Sequence, residues 1–123
     1  MACNKQLIGN VQIRVDGEIL YSEKGATIDL GGAEIDGMMG GDGSYQGTFV
    51  KENKPSVIEC TVNLPTGFQV DKLRACCATI TFECDNGLLF VQHSACQANT
   101  LKITGNEGGK VALKFIGAPA EQV

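Results

Sequence analysis

The chain has 123 residues, 43% of them hydrophobic, which fits a single domain (residues 1–123) with a thin core that would gain from association. Its 14 acidic and 10 basic residues leave a formal net charge of −4. The basic residues are scattered, so the stripe of positive charge that a specific nucleic-acid binder uses is absent. Residues 1–7 hold no apolar run like a signal-peptide core, and no window approaches the roughly 20 apolar residues of a membrane-spanning helix, so synthesis in the cytoplasm without membrane insertion is expected.

In chain order the pattern is mostly of strands. Residues 1–9 read as an N-terminal arm. Val11-Gln12-Ile13-Arg14-Val15 alternates apolar and polar residues, and Asp16-Gly17 turns it into Glu18-Ile19-Leu20-Tyr21, which predicts a β-hairpin. Ala26-Thr27-Ile28-Asp29-Leu30 predicts another strand. It enters the most unusual stretch of the chain, Gly31-Gly32-Ala33-Glu34-Ile35-Asp36-Gly37-Met38-Met39-Gly40-Gly41-Asp42-Gly43.

That stretch continues to the polar run ending at Pro55, so residues 31–54 read as one extended loop, with a short strand near Gly47 to Val50. A loop of this length inside a small domain is rare and is usually either functional or disordered. Ile35, Met38 and Met39 give it an apolar side that a small domain cannot easily cover, and its glycines carry a large ordering cost. We therefore expect an assembly loop that orders against neighbouring subunits, with Glu34, Ile35, Asp36, Met38, Met39, Asp42 and Tyr45 as the inter-subunit contacts.

After Pro55, residues 56–64 place Ile58, Cys60, Val62 and Leu64 on one face and Glu59, Thr61 and Asn63 on the other, the signature of a half-buried strand. Pro65-Thr66-Gly67 ends it. Val70, Leu73 and Cys76 or Cys77 then recur at helical spacing, predicting one α-helix over residues 69–76 that covers the sheet. Thr79 to Cys84 and Leu88 to Val91 form a hairpin about Asp85-Asn86-Gly87. Thr100 to Thr104 and Val111 to Ile116 form another about the glycine-containing turn at 105–109, followed by a tail over residues 117–123. The fold expected is mainly β: an antiparallel sandwich or barrel of about seven strands with one flanking helix and a long glycine-rich loop.

Enzyme chemistry finds little to use. The glycine loop superficially resembles a phosphate cradle, yet it lacks the Gly-Lys-Ser/Thr ending and no helix pattern follows it. Glu34, Asp36 and Asp42 lack the ordered spacing of a calcium loop. His93, the only histidine, stands three residues before Cys96 without an accompanying acid or nucleophile. Cys76-Cys77 has no second pair at finger-like spacing. No catalytic residue, cofactor site or metal-ligand set is assigned. The six cysteines read as free thiols, with Cys60 and Cys84 acting as small apolar residues in strands.

The order of these parts resembles the tail tube proteins of bacteriophages, particularly the Mu-like tail tube family. The resemblance covers nearly the whole chain and rests on Val15-Asp16-Gly17, on the run from Leu73 to Asn86-Gly87, and on Glu107-Gly108-Gly109-Lys110-Val111-Ala112-Leu113-Lys114-Phe115-Ile116-Gly117. None of these is specific alone; their order and spacing carry the likeness. The six cysteines and the pair at 76–77 depart from a typical Mu-like member. The resemblance implies a structural virion protein of the tail, assembled in the host cytoplasm into homohexameric rings that stack into a hollow conduit for the genome. Implied partners are further copies of itself, a tail sheath or terminator, baseplate and tape measure proteins, with DNA passing through unbound. It also implies an inner sheet continuous around the ring. The strand at 56–64 is the best candidate for it, which makes Asp29, Glu59, Thr61 and Asn63 lumen-facing, with Glu83 a further candidate from another hairpin.

Two functional classes fit these features: the self-assembling tail tube protein, and a small β-barrel binding module that captures a ligand or peptide with its flexible loop. Size in solution separates them. On either reading the thiols are reduced: all six cysteines should react with a thiol reagent after denaturation, while Cys60 and Cys84 stay protected in the native protein. An obligatory disulfide detected by mass spectrometry, in protein purified with its thiols shielded from oxidation, would overturn this.

Overall fold

The structure, a computed structural model, describes residues 6–105 and 109–123. Among these, the chain forms β1 (Val11–Val15), β2 (Glu18–Leu20), β3 (Thr27–Asp29), β4 (Gly32–Met39), β5 (Tyr45–Lys54), β6 (Ser56–Val62), β7 (Ala78–Cys84), β8 (Leu89–Gln97), β9 (Ile103–Thr104), β10 (Lys110–Gly117) and β11 (Glu121–Gln122). Nine of them make one antiparallel sheet with the order β2-β1-β7-β8-β10-β6-β3, with β9 beside β10 and β11 beside β8. β4 and β5 pair only with each other.

The expected turns are present. Asp16 and Gly17 both have positive φ, 50° and 85°, which suits a tight hairpin between right-twisted strands. Asp16 is fixed from both sides: its backbone N–H donates to the Thr79 carbonyl, and its Oδ1 accepts from the Thr79 N–H at 2.9 Å. The chain between β2 and β3 crosses to the far edge of the sheet. There the Glu23 N–H donates to the Thr61 carbonyl, and the Asn63 N–H donates to the Tyr21 carbonyl. With the bridge between Ser22 and Val62, these bonds close the nine-stranded sheet into a barrel.

β8 makes that closure possible. It pairs with β7 and β11 along most of its length and with β10 at Cys96 and Gln97. Ala78 faces Ala95 but Ile80 faces Gln92, so His93 and Ser94 together oppose a single residue of β7. This is a β-bulge, and Ser94 takes a positive φ of 54° within it. Gln92 and Ala95 are both fully buried on either side of two exposed residues, so the inward-facing parity flips there.

The interior is filled by alternate residues: Ile13 and Val15 of β1, Ile58, Cys60 and Val62 of β6, Ile80 and Phe82 of β7, Val111, Leu113 and Phe115 of β10. Phe82 meets Phe90 edge to face at 6.4 Å. Burial pushes the Cys60 thiol up to about 12 and raises that of Cys84 as well. One polar cluster sits in this core: the Gln92 Nε2 donates to the Ser56 carbonyl at 3.0 Å and to its Oγ at 2.7 Å, and Ser56 Oγ donates to the Ala118 carbonyl at 2.5 Å. It ties β8, β6 and the chain after β10 together.

Several elements differ from expectation. The helix over residues 69–76 is a single 3-10 turn, Val70–Leu73. Leu73 is buried as its spacing demanded, but Gln69 provides no side-chain cap, Arg74 leaves helical geometry, and Cys77 has a φ of +56°. An uncapped segment this short does not offset the cost of helix nucleation. The last hairpin is shorter than predicted, β9 holding two residues, because Asn99 replaces backbone pairing with its side chain: Nδ2 donates to the Ala112 carbonyl and Oδ1 accepts the Lys114 N–H. Residues 106–108 of its turn lie outside the described residues, as do residues 1–5 of the N-terminal arm.

The tail after β10 returns to the barrel. β11 pairs Glu121 with Val91 and Gln122 with Phe90, and the Val123 N–H donates to the Leu89 carbonyl. At the other end, Asp85 accepts the N–H groups of Gly9 and Asn10, both at 2.9 Å, which hold its carboxyl below the usual range and fasten the chain before β1.

Phe115→Ala is expected to destabilise the protein by about 3–5 kcal/mol, because it empties a fully buried ring site at the junction of β10, β6 and β8. Arg14→Ala removes only a half-exposed ion pair with Glu83 and should cost less than about 1 kcal/mol. Denaturant unfolding of the two variants measures the contrast; equal losses would mean that the core does not lie where the alternation places it.

Candidate assembly surface

The segment expected to be an open loop is a β-hairpin within the single chain. β4 and β5 pair from Gly32–Lys54 to Met39–Tyr45, with register shifts between Glu34 and Ile35 and between Met38 and Met39. The glycines are compatible with strand pairing, and apolar cross-strand pairs such as Ile35 with Val50 add contacts that an unstructured loop would lack. The tip is a tight turn over residues 40–44. There Gly40 N–H donates to the Ser44 carbonyl, and Asp42 Oδ1 accepts both the N–H and the hydroxyl of Ser44. Those bonds, the hydroxyl's foremost, lower the Asp42 carboxyl below its usual value.

The hairpin extends the barrel. Asp29 of β3 faces Val57 of β6, and three residues further along each strand Gly32 faces Lys54, so one register runs from β3–β6 into β4–β5. The ladder is interrupted where Pro55, which has no N–H, stands opposite Gly31. Gly31 has a φ of +71°, and a Cβ there would lie 2.6 Å from the Pro55 carbonyl carbon, so glycine is required on both counts.

The register sorts the expected contact residues into two faces. Ala33, Ile35, Gly37 and Met39 share a face with Tyr45, Thr48, Val50 and Asn53 of the opposite strand. Ile35, Met39, Tyr45 and Val50 are 53%, 58%, 64% and 53% exposed, an apolar face left open among the described residues. Glu34, Asp36 and Met38 lie on the other face with Phe49, Glu52 and Lys54. The three carboxylates named from the sequence have local partners. Glu34 pairs with Lys54 Nζ at 2.7 Å, Asp36 accepts the Gly37 N–H, and Asp42 belongs to the turn. Val50 and Phe49 were not singled out in the sequence, although the pairing puts them opposite Ile35 and Asp36. Their signal is visible only once the register is known.

The lumen candidates divide as well. Asp29, Glu59 and Thr61 lie on the outward face formed by β3, β6 and β10, where Glu59 stands between Thr27 and Lys114. Lys24 and Lys114 border the same shallow depression as Glu59 and Thr61, so this face carries charge of both signs. Asn63 lies just beyond β6, its N–H engaged by Tyr21. Glu83 is on β7 in the other half of the barrel, held by Arg14 Nε at 2.9 Å. The structure therefore groups Asp29, Glu59 and Thr61 and separates Glu83 from them.

Among the described residues, no group of three or more His, Cys, Asp or Glu side chains stands where a metal ion would be held, and no helix is long and apolar enough to cross a membrane.

Comparison with known proteins agrees with this architecture. No curated protein matches the chain in sequence. Among solved structures, a chain of the sheath/tube terminator of an extracellular contractile injection system, PVC, in its extended state superimposes with a TM-score of 0.70 at 10% identity, over 92% of each chain. A chain of the sheath–tube complex of that system gives 0.69 at 11% identity, over 97% of this chain and 93% of that one. The tube-terminating cap of the anti-feeding prophage gives 0.69 at 11% identity, over 100% and 99%. At such identities the likeness is one of fold. The family model for phage tail tube proteins matches residues 4–122, nearly the full chain, and the protein belongs to the phage tail tube protein family.

Proposed function

We propose that the chain is the repeating subunit of a hollow phage tail tube, assembling into homohexameric rings that stack and conduct the genome into the host. The observation that carries this reading is the β4–β5 hairpin, a projecting pair of strands with an uncovered apolar face and, among the described residues, no strand on either outer edge. Such a pair is marginal in water and offers both apolar area and free backbone groups to a neighbour. Because the contact is between different surfaces of successive subunits, it propagates instead of closing on itself, which is how rings become a filament. The role is structural and uses no catalytic group.

The partners follow from that position. Further copies of the chain bind along the tube, a sheath or terminator meets it from outside or at its end, and baseplate and tape measure proteins set where it starts and how long it grows. Tube assemblies with sheath, terminator or cap among the similar folds support this part of the reading. DNA passes without specific binding, in keeping with a net charge of −4.

Negative-stain microscopy of concentrated purified protein tests the proposal. Rings or hollow tubes are expected; monomers or small oligomers across salt and protein concentration would instead favour a β-barrel binding module.

Deleting Glu34 to Gly43 should leave a folded barrel that no longer polymerises, since among the described residues β4 and β5 pair with each other and with no strand of the barrel. A gentler variant, Ile35→Ser with Tyr45→Ser, should do the same with a change in Tm of no more than about 4 °C, as expected for exposed positions. Normal tubes from both variants would rule out the hairpin as the assembly element.

The outward face holding Asp29, Glu59 and Thr61 is our candidate for the channel wall. Glu59→Lys adds a cation beside Lys24 and Lys114 in every subunit and should preserve tubes while slowing genome delivery through added phosphate attraction. A tube reconstruction with Glu59 on the outer wall, or unchanged delivery by the variant, would remove this assignment.

A further inference from the structure

Three thiols meet at the corner where β8 leaves β7 for β10. Cys76 is exposed and Cys96 half-buried, and their sulfurs lie 2.7 Å apart. The backbone holds the two segments together independently of the sulfurs: the Gln97 N–H donates to the Ala75 carbonyl at 2.9 Å, and Ala78 pairs with Ala95. Cys77, with its φ of +56°, lies between the 3-10 turn and β7. A disulfide needs about 2.05 Å between sulfurs, so bond formation requires an approach of well under an ångström.

We propose that Cys76 and Cys96 form an oxidisable dithiol site, which a low-molecular-weight disulfide such as glutathione disulfide converts to an intramolecular disulfide. The surroundings assign the two roles. The hydrogen bond from Cys76, and after it the backbone N–H of Cys77, hold the Cys96 thiol below its usual range, whereas the same contact pushes Cys76 up to about 11. Cys96 is thus the attacking thiolate. It displaces one glutathione thiolate and becomes a mixed disulfide. Cys76 then loses its proton and attacks the Cys96 sulfur, expelling the second glutathione. Two protein thiols are oxidised and one glutathione disulfide is reduced to two thiols.

The bond closes a loop that contains all of β7 and ties the chain after the 3-10 turn to the end of β8. It therefore fastens the corner about which the barrel folds. Cys60 and Cys84 are buried and take no part. Synthesis with six free thiols is compatible with this site, because the bond is added to a fold already formed.

The test treats the purified full chain with glutathione disulfide, blocks remaining thiols and maps the peptides. Cleavage after Arg74, Glu83 and Lys102 and before Asp85 separates residues 75–83, with Cys76 and Cys77, from residues 85–102, with Cys96. A covalent link between these peptides is expected in the wild type and in Cys77→Ser. In Cys76→Ser the reaction should stop with one glutathione on Cys96, and Cys96→Ser should form no link. The linked wild type should melt roughly 5–15 °C above its reduced form, an effect reversed by dithiothreitol. Absence of the link in the wild type, its persistence in Cys76→Ser, or an unchanged Tm in the linked protein would overturn the proposal.

Discussion

The fold depends on one strand having two sets of partners. β8 spans both halves of the barrel, and the bulge at His93 and Ser94 reverses its inward-facing parity without breaking the strand. A regular β8 would continue β7's sheet and carry Ala95 to the wrong side. The corner is tight, which is why small residues gather there. Ala78 and Ala95 are buried against each other, and a Cβ on Gly117 would come within 2.7 Å of the His93 carbonyl oxygen. Gln92 then secures the turn from within through Ser56, a bond whose loss would leave polar groups stranded in the core.

Much of this was legible in the sequence where local chemistry and periodicity agree. Asp16-Gly17 and Asp85-Asn86-Gly87 specify turns, and the alternation of β1, β6, β7 and β10 specifies which residues are buried. The extension of β8 was not legible, because Gln92, His93 and Ser94 read as polar chain and only the bulge makes strand residues of them. The helix failed for the opposite reason: its spacing was correct for Leu73, but nothing caps or lengthens it. The stretch at residues 31–54 stood out by its composition, and its strands were mostly missed because glycines mask a pattern that becomes apolar on one face only after two register shifts. The thiol pair at Cys76 and Cys96 is twenty residues apart in sequence and is brought together by the corner, a relation that no spacing rule contains.

The barrel and the hairpin divide the physical tasks between them. The barrel closes its circuit, buries one apolar face of its strands and uses its last strand to cover β8, leaving scattered exposed apolar residues such as Ile19, Tyr21 and Ile103 on different strands and connections. The hairpin does the reverse. Glu34 and Lys54 are paired with each other, and Asp36 and Asp42 accept local hydrogen bonds, while its apolar residues remain uncovered. A neighbour that covers the face of Ile35, Met39, Tyr45 and Val50 gains hydrophobic burial.

The single register shared by β3–β6 and β4–β5 gives the hairpin a mechanical character that a tethered loop would lack. Pull on its tip is carried as shear along the backbone hydrogen bonds into β6, whose other edge is bonded to β10 along seven consecutive residue pairs. The ladder is stepped at Gly31 and Pro55, and the step is held by the Gly31 N–H bond to Asp29 Oδ1 and the Ala120 N–H bond to the Leu30 carbonyl. Loaded along its strands in this way, the hairpin would share the force among the rungs of both ladders instead of peeling from the barrel one bond at a time.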